Sequence, residues 1–439
     1  MRKIVVKFGG SSLASAEQIR KAAAIIKADP DRRYAVASAP GKRNSADTKV
    51  TDLLYRCYDQ AAAGRDYVPV LEQIRTRFAD IIRELAVDFD LDGELEIIRA
   101  HLENGPQRDY MASRGEYLNS KILASFLEYP FLDTAGLVRF TSDGRFDDSQ
   151  TDLNLRRALA DVEYAVLPGF YGAEENGTVH TFSRGGSDVT GSLVARAADA
   201  DLYENWTDVS GMLFTDPRIV ENPEVINYIT YRELRELSYM GASVLHEDAV
   251  FPVRQAGIPI NICNTNRPED AGTLIVAEVP RGVEVRNVTG IAGKKGFTSI
   301  SVEKSMMNGE VGFGAKLLDV FAENGIPFEH CPTGIDAMSV IVNSALFRDK
   351  KDIVVQEIRQ RLQPEFLSVD TGLAMIAVVG HGMIYSKGTA ARIFSSLAEA
   401  GINIRMIDQG SSEMNIIIGV DEDDFENAVR SIYHSYMQK

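Results

Sequence analysis

Four short stretches of this 439-residue chain carry side chains whose types and spacing could handle a charged small molecule. The first is Lys7-Phe8-Gly9-Gly10-Ser11-Ser12, an apolar run that ends in two glycines and two hydroxyls. Glycines let backbone N–H groups approach an anion closely, and a following helix N-terminus adds favourable partial charge. A lysine at a strand end supplies a full charge to spread over phosphate oxygens. A tight strand–helix turn with a solvated lysine explains the same residues. No G-x-x-x-x-G-K-[ST] occurs, so this is not a P-loop. The second stretch is Ser183-Arg184-Gly185-Gly186-Ser187-Asp188. Arg184 can hold a carboxylate through two parallel hydrogen bonds. Asp188 either caps the helix that follows or joins Arg184 in gripping a zwitterion, one group for each charge. The third, Arg114-Gly115-Glu116, is read as the start of the helix EYLNSKILASFLE. There Glu116 either answers the helix dipole in the first turn or binds a substrate ammonium. The fourth is Thr207-Asp208-Val209-Ser210-Gly211 with Thr215-Asp216-Pro217-Arg218, after the strand-like run DLYENW. Loops at strand C-termini are where α/β sheets bind ligands, though two ordinary turns also account for these residues.

These stretches need elements to position them. Residues 3–8 read as a buried strand, residues 15–29 as a helix, and residues 34–39 as a second strand. Ser15 and Gln18 have capping-box spacing, and Ile19, Ala22, Ala23 and Ile26 share a face. Further strands are expected at 165–168, 201–206 and 259–263. Strand, glycine turn, helix, strand is the pattern of a layered α/β domain, filling residues 1 to about 280. Residues 42–52 read as a polar loop, and residues 60–110 as a helical cover without chemistry. Beyond Pro280 the texture changes, and an internal repeat appears at an offset of 76 residues. FAENGIPF (321–328) matches LAEAGINI (397–404), and Gly325/Gly401, Ile326/Ile402, Gly334/Gly410, Met338/Met414 and Ile341/Ile417 stay in register. Units of this size seldom stand alone, so the two copies are expected to pack together.

The balance of 47 basic and 63 acidic residues gives a formal charge of −16, which repels nucleic acid and anionic membranes. Three scattered cysteines, Cys57, Cys263 and Cys331, suggest neither disulfides nor a zinc site. The six histidines (101, 180, 246, 330, 381, 434) show no metal spacing, and His246 reads as a helix-surface or packing residue. The apolar start is too short for a signal peptide, and no run approaches a membrane span. The expectation is a soluble cytoplasmic enzyme.

Taken together, KFGGSS, RGE, SRGGSD, WTDVSG, TDPR and GASVLHE resemble the amino acid kinase family, and within it the aspartate kinases, in the family's order and over essentially the whole chain. The resemblance implies an amino acid kinase-like layered α/β catalytic domain (1–280), followed by two ACT domains of ferredoxin-like α+β fold (281–439). One ACT unit, about 296–370, would be inserted in the other, about 287–295 plus 371–439. It implies ATP and L-aspartate as substrates, with Mg²⁺ arriving on the nucleotide rather than at a dedicated metal site. Lys7, Gly9, Gly10 and Ser11 would form the phosphate turn, with Lys7 neutralising the transferring phosphoryl group. Ser38, Thr51, Gly185, Gly186 and Ser187 would line the aspartate site. Glu116 and Asp188 would hold the substrate ammonium, and Arg184 its α-carboxylate. Thr207, Asp208, Leu213, Arg218 and Ser243 would contact the nucleotide beside Lys7 and Gly10. Departures are Ser11 for the family's frequent Thr, Leu213 for a Tyr, Ser243 for a Lys and Glu247 for a Pro, so phosphate-side charge is expected from Lys42 or Arg43. A lysine effector would sit among Met306, Gly312, Phe313, Phe328, Glu329 and Asp336. The second repeat copy has Arg405 and Ser412 where the first has Glu329 and Asp336. A homodimer through the ACT region is expected. The reaction needs no general base, because a carboxylate of pKa about 3.9 is already ionised. Alternatives are another amino acid kinase, such as one acting on glutamate or acetylglutamate, and a non-catalytic amino acid sensor.

Overall fold

The structure is a computed structural model that describes residues 2–183, 185–242, 245, 247–280, 282–283, 286–410 and 412–437, without the side chains of 247 and 248. The chain divides into two compact units. The first comprises residues 1–212, 225–231 and 244–281, and the second residues 213–224, 232–243 and 282–439. A single cut at 280 therefore misplaces two short excursions. Phe214 and Val220 of the first excursion are buried in the second unit's core, and Leu237 of the other lies where a Cβ on Gly290 would come within 2.8 Å of it.

A seven-stranded sheet organises the first unit, in the order Ala165–Pro168, Arg32–Ala37, Ile4–Phe8, Leu202–Thr207, Ile260–Asn264, Thr273–Val276, Tyr228–Thr230. The first five strands run parallel. Ile4–Phe8 is buried at every residue, which is why it reads as a continuous apolar run rather than an alternation. The helix Ala16–Ala28 starts at Ser15, whose hydroxyl accepts from the Gln18 amide, and buries Ile19, Ala22, Ala23 and Ile26. The polar loop ends sooner than its composition suggests: the helix Val50–Ala62 begins inside it, because Val50, Leu53 and Leu54 are core residues. The helices Val68–Leu85 and Leu91–Glu103 bury one apolar stripe each against the same core.

The second unit carries a six-stranded antiparallel sheet, in the order Phe328–His330, Ala337–Asn343, Gly290–Glu303, Phe366–Val379, Asn415–Asp421, Met406–Asp408. Gly290–Glu303 and Phe366–Val379, 14 residues each, pair along their length with irregularities at 294–299. The halves of these two strands serve different neighbours. Residues 297–303 pair with 337–343, and residues 373–379 pair with 415–421. The helices Phe313–Glu323 and Thr389–Glu399 stand 76 residues apart at both ends. Each follows a glycine of positive φ, Gly312 (83°) and Gly388 (88°), and each is followed by another, Gly325 (63°) and Gly401 (72°). The repeat is therefore a repeat of backbone conformation, held by glycines where other residues would be strained. Among the described residues no helix is long and apolar enough to cross a membrane.

Candidate active site

The parallel strands of the first unit all end at one edge of their sheet. Phe8 lies opposite Ala37 and Trp206, Ala37 opposite Pro168, and Thr207 opposite Asn264. That register brings the loops starting at Gly9, Ser38, Gly169, Asp208 and Thr265 to the edge where such sheets bind ligands.

Gly10 and Gly41 are in backbone contact: the Gly41 amide donates to the Gly10 carbonyl at 2.8 Å, and a Cβ on Gly41 would sit 2.6 Å from the Gly10 carbonyl carbon. Only glycine permits that approach. Ser12 is buried and accepts from the Thr265 hydroxyl at 2.8 Å, whereas Ser11 is half-buried. Gly185 is left-handed (φ 56°) and opens the helix Gly186–Ala197 without a side-chain cap. A Cβ on Gly169 would lie 2.6 Å from that of the buried Ser187, so these two loops are pressed together.

Lys7 is 7% exposed and its Nζ lies 2.5 Å from Oδ1 of Asp188. The same oxygen accepts from Asn205 at 2.8 Å. Asp188 is the third residue of its helix and caps nothing, which removes the capping alternative. Arg184 lies outside the described residues, as do Ser243 and His246.

Glu116 is not at a helix start. Its helix runs Arg108–Leu127, so the carboxylate sits beyond two turns and the first-turn dipole reading fails. It is 5% exposed, and among the described residues its Oε2 has no hydrogen-bond partner. Burial pushes the carboxyl up to about 8, against the pull of the Ala39 amide, its own amide, Arg114 and Lys7. Gly115 lets this helix approach the bend after Ala37, since a Cβ there would lie 2.8 Å from that of Ala39. Asn119 donates to the Ser38 carbonyl at 2.7 Å. Asn119 Oδ1 and Ser120 Oγ are also buried without partners among the described residues. Glu116, Asn119 and Ser120 share one helix face at i, i+3 and i+4, so the face carries a polar stripe with unused capacity. Sequence reasoning passed over Asn119 and Ser120; their spacing among apolar residues was the available signal. Arg114 is buried between the rings of Tyr110 (4.4 Å), Tyr117 (4.3 Å) and Tyr171 (5.5 Å). Thr51 is half-buried in the first turn of Val50–Ala62.

Thr207 ends its strand, and its hydroxyl lies 3.3 Å from Asp208, which is exposed. Leu213 and Arg218 belong to the second unit, where Arg218 is 2.6 Å from Asp216 and largely in solvent. Of the expected phosphate-side cations, Arg43 is engaged by Asp47 at 2.9 Å, and Lys42 is exposed. Asp47 also takes Arg77, and these two arginines hold its carboxyl well below the usual range. Arg77 further donates to the carbonyls of Ala14 (2.9 Å) and Gly41 (2.7 Å), stapling the helical cover to the glycine turn.

In the second unit Gly312 precedes a helix that no side chain caps, with Phe313 buried and Phe328 exposed. Asp336 accepts from the exposed Met306's amide at 2.8 Å, and Glu329 accepts from the Tyr239 hydroxyl.

The amino acid kinase family model matches residues 2–264, and an ACT domain model matches residues 376–436. Aspartokinase 3 of Bacillus subtilis is 40% identical over 450 residues, covering 98% of each chain. This chain belongs to the aspartokinases. It is thus a phosphotransferase that acts on a carboxyl group of aspartate. The crystal structure of aspartate kinase from Clostridium acetobutylicum matches 99% of this chain and 100% of its own, with TM-score 0.90 and 48% identity. The lysine-sensitive aspartokinase 3 of Escherichia coli is 26% identical over 470 residues, covering all of both chains.

Proposed function

We propose that the strand-end site of the first unit transfers the γ-phosphate of ATP to the side-chain carboxylate of L-aspartate. The observation that carries this reading is Glu116, a buried carboxyl within the field of Lys7 whose Oε2 has no partner among the described residues. Such a group is costly to keep unless a ligand cation completes it. The substrate ammonium supplies that cation, and Arg184 holds the α-carboxylate. Ser38, Thr51, Gly185, Gly186 and Ser187 line the rest. An oxygen of the side-chain carboxylate attacks the γ-phosphorus, the bond to the bridging oxygen breaks, and ADP leaves. No proton moves, so catalysis is positioning and charge neutralisation. Lys7 and the amides of the Gly9-Gly10-Ser11 turn carry that task. Thr207 and Asp208 form the nucleotide side. Mg²⁺ comes with ATP and shields its phosphates; exposed Asp208 is a hard oxygen donor of the kind it takes.

The second unit senses an amino acid end product, and lysine fits it best. Glu329 and Asp336 offer two acids for a diamino acid, and the uncapped helix after Gly312 offers amides for its carboxylate. The lysine-sensitive Escherichia coli relative supports this choice. The chain acts in the cytoplasm as a homodimer through this unit, in which Met306 (78% exposed), Val311 (96%) and Ile335 (70%) present apolar side chains to solvent. Aspartate-dependent ADP release, repeated with lysine, threonine and methionine, tests both parts. Release with glutamate instead of aspartate overturns the substrate, and inhibition by threonine alone overturns the effector.

A further inference from the structure

The helix Tyr231–Tyr239 places Glu233, Glu236 and Tyr239 on one side at intervals of three residues. Each reaches a different part of the second unit. Glu233, 1% exposed, accepts from the Thr289 hydroxyl at 2.6 Å and the His381 amide at 2.7 Å. Glu236 accepts from the Asn415 side chain at 2.6 Å. The Tyr239 hydroxyl donates to Oε2 of Glu329, and the Tyr239 carbonyl accepts from the Lys294 ammonium. Thr289, His381, Asn415 and Lys294 all lie outside the proposed lysine site. Of these anchors, Tyr239–Glu329 alone ends on a proposed lysine ligand. At its other end the helix continues directly from the strand Tyr228–Thr230, which is paired with Thr273–Val276 in the seven-stranded sheet.

We infer that Tyr239 couples the effector site to catalysis: its hydroxyl reports the state of Glu329 to the helix 231–239, which is covalently continuous with an edge strand of the catalytic sheet. This rests on the reading of Glu329 as an effector ligand. A hydrogen bond to a charged acceptor is among the stronger kinds, and an ammonium on the same carboxylate changes both its charge and its orientation. An effector moves an equilibrium only by binding two states differently, and the Tyr239–Glu329 bond is where the two states differ. Glu233 and Glu236 hold the helix in place while Tyr239 responds.

The test uses the full chain and Tyr239→Phe, which keeps the ring and removes one hydroxyl. The variant retains kcat and binds lysine by calorimetry within about threefold of wild type, while the lysine concentration for half-inhibition rises about tenfold or more. Inhibition equal to wild type overturns the inference. So does loss of lysine binding itself, which makes Tyr239 a ligand rather than a coupler. A wild-type enzyme indifferent to lysine retires the effector assignment. A ligand-free measurement then decides the coupling. Amide exchange in Tyr239→Phe without any amino acid is several-fold faster across residues 228–239 if coupling holds. A change confined to residues 328–330 overturns it.

Discussion

The two candidate ligand regions treat their charged groups in opposite ways. At the strand ends of the first unit, Lys7, Arg114 and Glu116 are 7%, 7% and 5% exposed, and one oxygen of Glu116 has no partner among the described residues. Around residues 306–336 of the second unit, Met306, Val311, Phe328 and Ile335 are exposed and both acids already accept hydrogen bonds. A buried polar group left unsatisfied costs about 1–3 kcal/mol, so it persists where a ligand repeatedly completes it. An exposed acid costs little to gain or lose. In the proposed reading, the strand-end region therefore has little freedom to vary in residue type, while the region around 306–336 can be retuned by single substitutions.

The sharpest way to break that contrast is Lys7→Ala. Removing a group that neutralises developing charge typically costs about 3 kcal/mol in the transition state, a fall in kcat on the order of a hundredfold. The KM for aspartate moves far less. Near-normal kcat in steady-state kinetics removes Lys7 from the reaction. Arg184→Ala comes next. It weakens aspartate binding by about tenfold or more and leaves ATP affinity nearly intact, because a carboxylate loses its bidentate partner. Arg184→Lys does not rescue it, since the fork is lost. Calorimetry that finds ATP binding lost instead assigns Arg184 to the nucleotide.

Glu116 sharpens the contrast through pH. Its carboxyl is raised from 4.5 to about 8, so at neutral pH it is mostly protonated in the ligand-free protein and ionised in the unfolded chain. The folded state then binds more protons between these values, and stability falls as pH rises through that window. Glu116→Gln has no such proton, so its melting temperature declines less than that of wild type between pH 5 and 8. A bound substrate ammonium favours the ionised form. Aspartate binding at pH 7 therefore releases protons, approaching one per site, and tightens as pH rises toward 8. Calorimetry in buffers of different ionisation enthalpy reads the proton directly; no release by wild type places the ammonium elsewhere.

Much of the scaffold was legible because local rules and tertiary packing agree. Ser15 and Gln18 mark the start of the helix Ala16–Ala28, and the apolar face read from spacing is the face that is buried. The 76-residue offset recurs in the helices Phe313–Glu323 and Thr389–Glu399, since both copies need glycine at the same positive-φ positions. What was not legible depends on partners distant in sequence. Gly115 looks like a helix boundary, yet it sits mid-helix because Ala39 comes so close. Arg77 looks like surface charge on an amphipathic helix, yet it is 5% exposed and bound to Asp47 and Gly41. The membership of residues 213–224 is decided by where Phe214 and Val220 find a core, which their spacing does not encode.

The smallest expected effect tests the contrast inside the repeat itself. Glu329 and Arg405 occupy equivalent positions, but Arg405 is paired with Asp421 at 2.7 Å, whereas Oε2 of Glu329 accepts from the Tyr239 hydroxyl. An ammonium is attracted to one and repelled by the other. Glu329→Ala should raise the half-inhibitory lysine concentration by about tenfold, the worth of one charge-assisted hydrogen bond. Arg405→Ala should shift it less than about twofold, because an exposed ion pair contributes little. Lysine titrations of the two variants side by side check this. Equal shifts would mean that both copies hold the effector, and inhibition unchanged in Glu329→Ala would move the site away from this acid. A larger shift in Arg405→Ala would make the second copy the sensor and leave the acids of the first with a packing role.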